Sequence, residues 1–209
     1  MDNSLNLNFQ KVNDINFPLD FKFKIATIAN DFVVKDANEN TISYVKQKMF
    51  KLVSEITVFS DESETSTLYT IKADNWNNFS ASFVFTNNFG AQIGRIARKG
   101  WVSIWKSRYE IFDENENQDL LIREDNAWVK VFDSLFAEIP LLGIFTGYVF
   151  NPSYSVSRPD GTVVAQIKKN ASFWGRRFSV HKLAEFELGE EERIVLGLMM
   201  MILMERRKG

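Results

Sequence analysis

Residues 189–208 read GEEERIVLGLMMMILMERRK, and this stretch decides the fold. Glutamates precede its apolar run and basic residues follow it, an order that matches the helix macrodipole and predicts a C-terminal helix over about 189–207. The eleven residues from Ile194 to Met204 carry no charge, and apolar side chains occupy every face of the helix. A helix of this kind belongs either in a protein core or in a bilayer.

The length of the apolar run decides between these two environments. A helix that crosses a bilayer needs roughly 20 apolar residues to span about 30 Å of hydrocarbon. The run from Ile194 to Met204 is about half as long, which predicts a buried helix and no transmembrane span. Because the rest of the chain reads as strands, those strands must surround the helix, and the predicted fold is a closed barrel with a helical plug.

The strands are indicated by short β-branched and aromatic runs between about residues 32 and 181. One strand–turn–strand unit occurs at least three times, over 32–45, 83–96 and 154–168. The third unit contains Asp160-Gly161, a strong hairpin signal. We therefore predict a mainly β protein built as a closed antiparallel barrel. Residues 25–209 form its single domain, and residues 1–24 are an N-terminal extension or the first strand.

The composition argues against most catalytic chemistry. The 209 residues include no cysteine and a single histidine, His181, which excludes disulfides, thiolate metal sites and multi-histidine metal sites. No glycine-rich phosphate loop precedes a helix. We expect no enzyme activity, no cofactor and no metal site, and we interpret His181 as a surface or hydrogen-bonded residue of a strand. Phenylalanine supplies 19 residues, which suits the lining of a large interior.

Two segments allow a second interpretation. Residues 113–124 resemble a calcium-binding EF-hand loop, but Gln118 stands where that loop needs glycine and the flanks read as strands, which favours an acidic hairpin turn. Residues 125–148 read as a packed connection between strands, with a membrane-dipping loop as the alternative. The N-terminus lacks the features of a signal peptide, so we expect a cytoplasmic location.

The order of these elements resembles a known superfamily. The segments GYVFNPSYSVSRPDG at 147–161 and IKKNASFW at 167–174, followed by the apolar helix, are similar to the LURP-one-related and phospholipid-scramblase branch of the tubby C-terminal-like superfamily. The resemblance covers roughly residues 25–207. It implies a barrel of about twelve strands around a central C-terminal helix.

The resemblance also implies a function in lipid binding. Tubby-type domains bind phosphoinositide headgroups through basic residues, and scramblase-like members are associated with calcium-dependent lipid movement. This chain lacks the cysteines that anchor scramblases by palmitoylation, and residues 182–190 lack the aspartates of the scramblase calcium segment. The expected function is thus a non-catalytic binding or scaffold module that docks peripherally on anionic phospholipid headgroups. The alternative is a structural or protein–protein interaction barrel with no lipid role.

Two groups of basic residues, each interleaved with aromatic residues, are the candidate lipid- or phosphate-binding residues. The plainest interpretation is a solvated face with the tryptophans turned inward around the helix; among ligands, the pairing suits a phosphorylated headgroup at a membrane surface and, less well, single-stranded nucleic acid. The expected partners are an anionic membrane surface or an unidentified protein. The first group comprises Arg95, Arg98, Lys99, Lys106 and Arg108, with Trp101 and Trp105; the second comprises Lys168, Lys169, Arg176 and Arg177, with Phe173 and Trp174.

Overall fold

A computed structural model describes residues 15–24, 31–47, 55–74, 82–98, 108–125, 153–170 and 177–206 of the protein. These residues form twelve strands and one C-terminal helix, α1, at Glu190–Arg206. The strands are β1 Leu19–Phe23, β2 Phe32–Lys35, β3 Thr41–Gln47, β4 Glu55–Phe59, β5 Thr67–Ala73, β6 Ser82–Asn87, β7 Gln92–Arg98, β8 Arg108–Phe112, β9 Gln118–Glu124, β10 Ser153–Ser157, β11 Val163–Asn170 and β12 Arg177–Lys182.

The strands form a closed antiparallel barrel in which each strand pairs with its neighbours along the chain. β1 closes the barrel against β12, with Leu19 opposite Val180 and Phe21 opposite Phe178. This arrangement confirms the predicted mainly β fold of about twelve strands. Closure leaves no unpaired strand edge in the sheet.

Five hairpins repeat the strand–turn–strand unit that the sequence shows three times. In each hairpin, the backbone N–H of the fourth turn residue donates to the carbonyl oxygen of the first turn residue. The donor residue has a positive φ, and the sheet register shifts by one residue at the strand end. Asp, Asn, Glu and Gly suit such turns, because they tolerate a positive φ or accept hydrogen bonds from the turn backbone. The turn donors are Glu39, Glu64, Gly90, Glu116 and Gly161.

Helix α1 lies inside the barrel, as its apolar composition requires. Every residue from Ile194 to Met204 that carries a side chain is at most 8% exposed, and these residues share one cluster with the inward-facing residues of the strands. The prediction of a helical plug is confirmed. The helix packs most closely against β7 and β8.

Glycines allow the close approach of α1 to that wall. A Cβ atom on Gly197 would lie 2.5 Å from Cδ1 of Ile111 on β8. A Cβ atom on Gly94 of β7 would lie 2.8 Å from Cδ of Arg193 on the helix. Both distances are shorter than a van der Waals contact. Glycine inside this helix, which ordinarily costs helix stability, is therefore explained by packing.

Phenylalanine lines part of the interior, as its abundance predicts. Phe21, Phe23, Phe32, Phe83 and Phe85 are at most 9% exposed and belong to the core cluster. The rings of Phe23 and Phe32 lie 4.9 Å apart, centroid to centroid. Large flat side chains fill the space between the strands and the helix without unpaired polar groups.

The described residues contain no helix with the length and apolarity needed to cross a bilayer. β1 begins at Leu19, inside the 1–24 segment that the sequence assigns to an extension or a first strand. The 125–148 segment, with its two alternative interpretations, lies outside the described residues from residue 126 onward.

We predict that Leu198→Asp prevents folding, whereas Leu188→Asp does not. Leu198 is fully buried in the plug, and an isolated carboxylate there costs several kcal/mol, a large part of the stability of an ordinary domain. Leu188, which precedes the helix, is 92% exposed, so the same substitution at this position leaves the new carboxylate in water and serves as the control. Circular dichroism and soluble yield measure the result; a folded Leu198→Asp variant would contradict the buried helix.

Candidate basic site at one end of the barrel

The up-and-down topology gives the barrel two different ends. The five short hairpins and the start of α1 lie at one end, which we call the acidic end. At the opposite end, which we call the basic end, odd-numbered strands finish and even-numbered strands begin. Helix α1 starts at the acidic end and runs toward the basic end.

Acidic side chains collect at the acidic end, largely because the turns use them. Asp36, Asp61 and Asp113 each accept backbone N–H groups inside their own hairpins. Hydrogen bonds from Asn117 hold the pKa of Asp113 below its usual value, although burial opposes this. In the hairpins and in residues 183–189, the single basic side chain is Arg158.

Two arginines neutralise the start of the helix. Arg158 donates two hydrogen bonds to the carboxylate of Glu190, at 2.8 and 2.7 Å. The Arg193 guanidinium, which is largely buried, donates to Asp119 at 2.7 Å and lies 3.4 Å from Glu114. The Arg158–Glu190 pair is bidentate, and the two arginines together fix the start of the helix to β9, to the β8–β9 hairpin and to the β10–β11 hairpin.

The carboxyl groups around the start of the helix differ in their pKa. Burial opposes ionisation of Glu190, but hydrogen bonds from Arg158 and from the Glu187 backbone outweigh it and lower the pKa of Glu190. Burial raises the pKa of Asp119, although Arg193 acts in the opposite direction. Burial also raises the pKa of Glu191, whose Oε1 atom is buried without a hydrogen-bond partner among the described residues.

The first predicted basic group does not share one face. Arg95 points outward on β7, where its guanidinium lies 3.8 Å from the ring centroid of Phe112 and pairs with Glu116 of the acidic end. Arg98 lies two residues after the buried Ile96 and directly opposite the buried Tyr109. It is therefore on the inner face of the barrel wall, at the basic end. Arg108 points outward at the start of β8.

The second predicted group is divided in the same way. Lys168 is exposed on the outer face of β11. Lys169 lies two residues after the buried Ile167 and is therefore on the inner face of the same strand. Arg177 at the start of β12 is exposed, and Asp20 neutralises it at 2.8 Å. Three further candidates and their aromatic neighbours lie outside the described residues: Lys99, Lys106, Arg176, Trp101, Trp105, Phe173 and Trp174.

The basic end carries cations that form no ion pair with any acid of the described residues. Among the described residues, the lysines and arginines without an ion pair all lie near the ends of β5, β7, β9 and β11, at the basic end. On the β1–β3 side, Glu62 and Glu64 of the β4–β5 hairpin neutralise Lys24 and Lys46. The unpaired side chains are Lys72, Arg98, Arg123, Lys168 and Lys169.

Apart from Arg95, the described members of the two predicted groups therefore lie toward one end of the barrel, but the groups are not adjacent. β9 and β10 separate Arg108 from Lys168, a distance of roughly 14 Å along the wall. Arg123 on β9 lies directly opposite Arg108 and partly fills this gap. Neither Arg123 nor Lys72 was singled out by the sequence, because no cluster of basic residues surrounds either of them in the chain.

The EF-hand-like segment is a hairpin, as the sequence favours. Residues 113–117 form the β8–β9 turn, and Glu124 lies at the far end of β9, roughly 20 Å from Asp113. These two carboxylates therefore cannot hold one ion. Elsewhere in the described segments, no three carboxylate or histidine side chains group closely enough to bind a metal.

The sequence matches a known family over most of the barrel. Residues 19–184, which run from β1 to the segment after β12, match the family described as LURP-one-related. The chain belongs to the LURP-one-related family. The family assignment confirms the resemblance drawn from residues 147–161 and 167–174.

A solved structure supports the fold assignment of this LURP-one-related protein. A protein from Arabidopsis thaliana, known from its X-ray structure, is 14% identical to the chain with a TM-score of 0.50. The alignment covers 93% of this chain and 94% of the Arabidopsis protein, which has a tubby-like fold. At this identity the similarity shows the fold alone. A comparison with curated proteins finds no match.

We predict that Glu191→Gln stabilises the protein at pH 7 by on the order of 1 kcal/mol. Because burial raises the pKa of Glu191 in the folded state, the ionised carboxylate destabilises the fold, and Gln resembles the protonated form. The gain should decline as the pH falls and vanish below the ordinary Glu value of 4.5.

Thermal denaturation between pH 4 and pH 7 measures this effect. Glu185→Gln is the matched control, because that side chain is 94% exposed, and its effect on the melting temperature should be small at every pH. A Glu191→Gln variant that is less stable than the wild type at pH 7 would contradict the assigned cost of burial.

Proposed function

We propose that this LURP-one-related protein is a non-catalytic binding module that docks peripherally on anionic phospholipid headgroups with its basic end. The observation that carries the proposal is the separation of charge along the barrel. Among the described residues, the lysines and arginines without an ion pair lie at the basic end, and the hairpins of the opposite end are rich in carboxylates. The basic end also holds Glu55, Glu124 and Asp125. An anionic surface attracts one end and repels the other, so the barrel would approach it in one orientation.

The size of the attraction indicates weak, reversible docking. Each basic residue near an anionic membrane contributes about 1 kcal/mol. Lys72, Arg98, Arg123, Lys168 and Lys169 would together contribute about 5 kcal/mol, which corresponds to a dissociation constant of roughly 0.2 mM. Binding of this strength falls steeply as salt screens the charges.

The alternative function is a protein-interaction barrel with no lipid role. The observation in its favour is at the acidic end, where Leu188 is 92% exposed and Leu183 is 54% exposed in the segment that leads into α1. Exposed leucines beside carboxylates suit contact with another protein better than contact with an anionic membrane. The two functions use opposite ends of the barrel, so charge variants distinguish them.

We predict that the protein sediments with vesicles that contain phosphatidylserine and not with pure phosphatidylcholine vesicles, and that raised salt releases it. The double variant Lys168→Glu/Lys169→Glu should sediment at least threefold less, because it reverses two charges at the basic end.

The matched control is Lys35→Glu/Lys182→Glu, which makes the same charge change at the acidic ends of β2 and β12. Its co-sedimentation should equal that of the wild type. Equal sedimentation of the wild type with both vesicle types would contradict lipid docking and leave the protein-interaction function.

A further inference from the structure

The outer wall near the basic end carries two arginines in an unusual arrangement. Arg108 on β8 and Arg123 on β9 are directly opposite each other in the antiparallel register, and both point away from the core. Side chains in such a pair have Cβ atoms about 4.5–5.5 Å apart, and like charges in this position destabilise a sheet. An anion between the two guanidinium groups would therefore stabilise such a pair.

Two described acids lie nearby, and neither pairs with Arg123: Asp125 accepts hydrogen bonds from Ser153, Ser155 and Gln166, and Glu110 pairs with Arg108. Glu110 lies 3.3 Å from Nη2 of Arg108 and is itself nearly buried, so it neutralises one of the two cations. Arg123 is exposed and has no ion pair within the described segments. The Nε atom of Arg108 is buried and has no hydrogen-bond acceptor among the described residues.

The register extends the same chemistry along the wall. Arg123 lies opposite Ser155 on β10, Ser155 opposite Gln166 on β11, and Gln166 opposite His181 on β12. The outward row from β8 to β12 therefore holds two arginines and three other polar side chains, of which Ser155 and Gln166 donate to the carboxylate of Asp125, two residues after Arg123. Arg108 and most other described arginines have a carboxylate within ion-pair distance, for example Arg177 with Asp20, whereas Arg123 has none among the described residues.

We propose that Arg108 and Arg123 together bind one phosphate group on the outer wall of β8 and β9. Two guanidinium groups that converge from neighbouring strands match the several oxygens of a phosphate, each taking charge-assisted hydrogen bonds. The Nη groups of the two arginines would donate these bonds, because Nε of Arg108 is buried. A phosphate monoester fits this site better than a carboxylate, because it carries more charge and a third oxygen.

The phosphate could belong to a lipid headgroup or to a soluble phosphate ester. The lipid source rests on the proposed function, since the site lies on the wall next to the basic end; the soluble source does not. The two sources present the same chemistry to Arg108 and Arg123, so separate measurements with a soluble headgroup and with vesicles distinguish them.

The direct test is calorimetric titration of the intact protein with glycerophosphoinositol 4-phosphate, the soluble headgroup of phosphatidylinositol 4-phosphate. Arg123→Gln should weaken binding about tenfold or more, as expected for the loss of one guanidinium–phosphate contact. Arg123→Lys should also weaken it, because lysine keeps the charge and loses the fork of donors. Arg123 is exposed, so these variants should fold normally.

The matched control is Lys72→Gln, which removes one exposed charge without an ion pair among the described residues at the same end. Lys72 lies opposite Glu55 on the neighbouring strand, not opposite another cation. It should change headgroup affinity less than twofold. Equal losses for Arg123→Gln and Lys72→Gln would overturn the site, because binding would then depend on overall charge. No binding by the wild type up to about 10 mM headgroup would also overturn it.

Sedimentation with vesicles that contain phosphatidylinositol 4-phosphate separates this site from the proposed function. Headgroup binding that needs Arg123, without vesicle binding by the wild type, would support a site for a soluble phosphate ester and contradict the proposed function. Vesicle binding that Arg123→Gln and Lys72→Gln reduce equally would support the proposed function and overturn the site.

Discussion

A helix without a polar face is the constraint on which the rest of this structure depends. Residues 194–204 can leave water only if strands cover them on every side, and a closed sheet does this without exposing an edge. Gly197 and Gly94 let the helix approach the β7–β8 wall, and Arg193 fixes its start to the β8–β9 hairpin. Barrel closure and helix burial are therefore two aspects of one packing problem.

The topology that encloses the helix also separates the charges. Five short hairpins of the same type lie at one end, and their turn geometry favours Asp, Asn and Glu, whose side chains bond the backbone or tolerate positive φ. The glutamates at the start of α1 lie at the same end, where the helix macrodipole favours them. Among the described residues, the lysines and arginines that form no ion pair lie at the other end.

The fold could be predicted from the sequence because its signals are long and redundant. The repeated strand–turn–strand unit indicates a barrel or a sandwich, and the uniformly apolar run at 194–204 decides for a closed barrel; neither signal depends on a single residue. Residue identities also marked the Asp160-Gly161 and Asp113 hairpins, because turn chemistry is local.

The arrangement of the basic residues could be predicted only in part. Their nearness in the chain marked two groups, but the alternation of strands sends Lys168 and Lys169 to opposite faces, and likewise Arg95 and Arg98. The pairing of Arg108 with Arg123, fifteen residues later, depends on the β8–β9 register. Register follows from turn length and bulges, which a single sequence specifies weakly.

The enclosed helix can be tested most directly by hydrogen exchange of the intact protein, followed by mass spectrometry. The account predicts that amides of residues 194–204 exchange only through global unfolding, with the same free energy as amides of β7 and β8, because the helix cannot leave the barrel while the sheet is closed. Exchange of the helix by a local opening, at a free energy several kcal/mol below that of the strands, would contradict it.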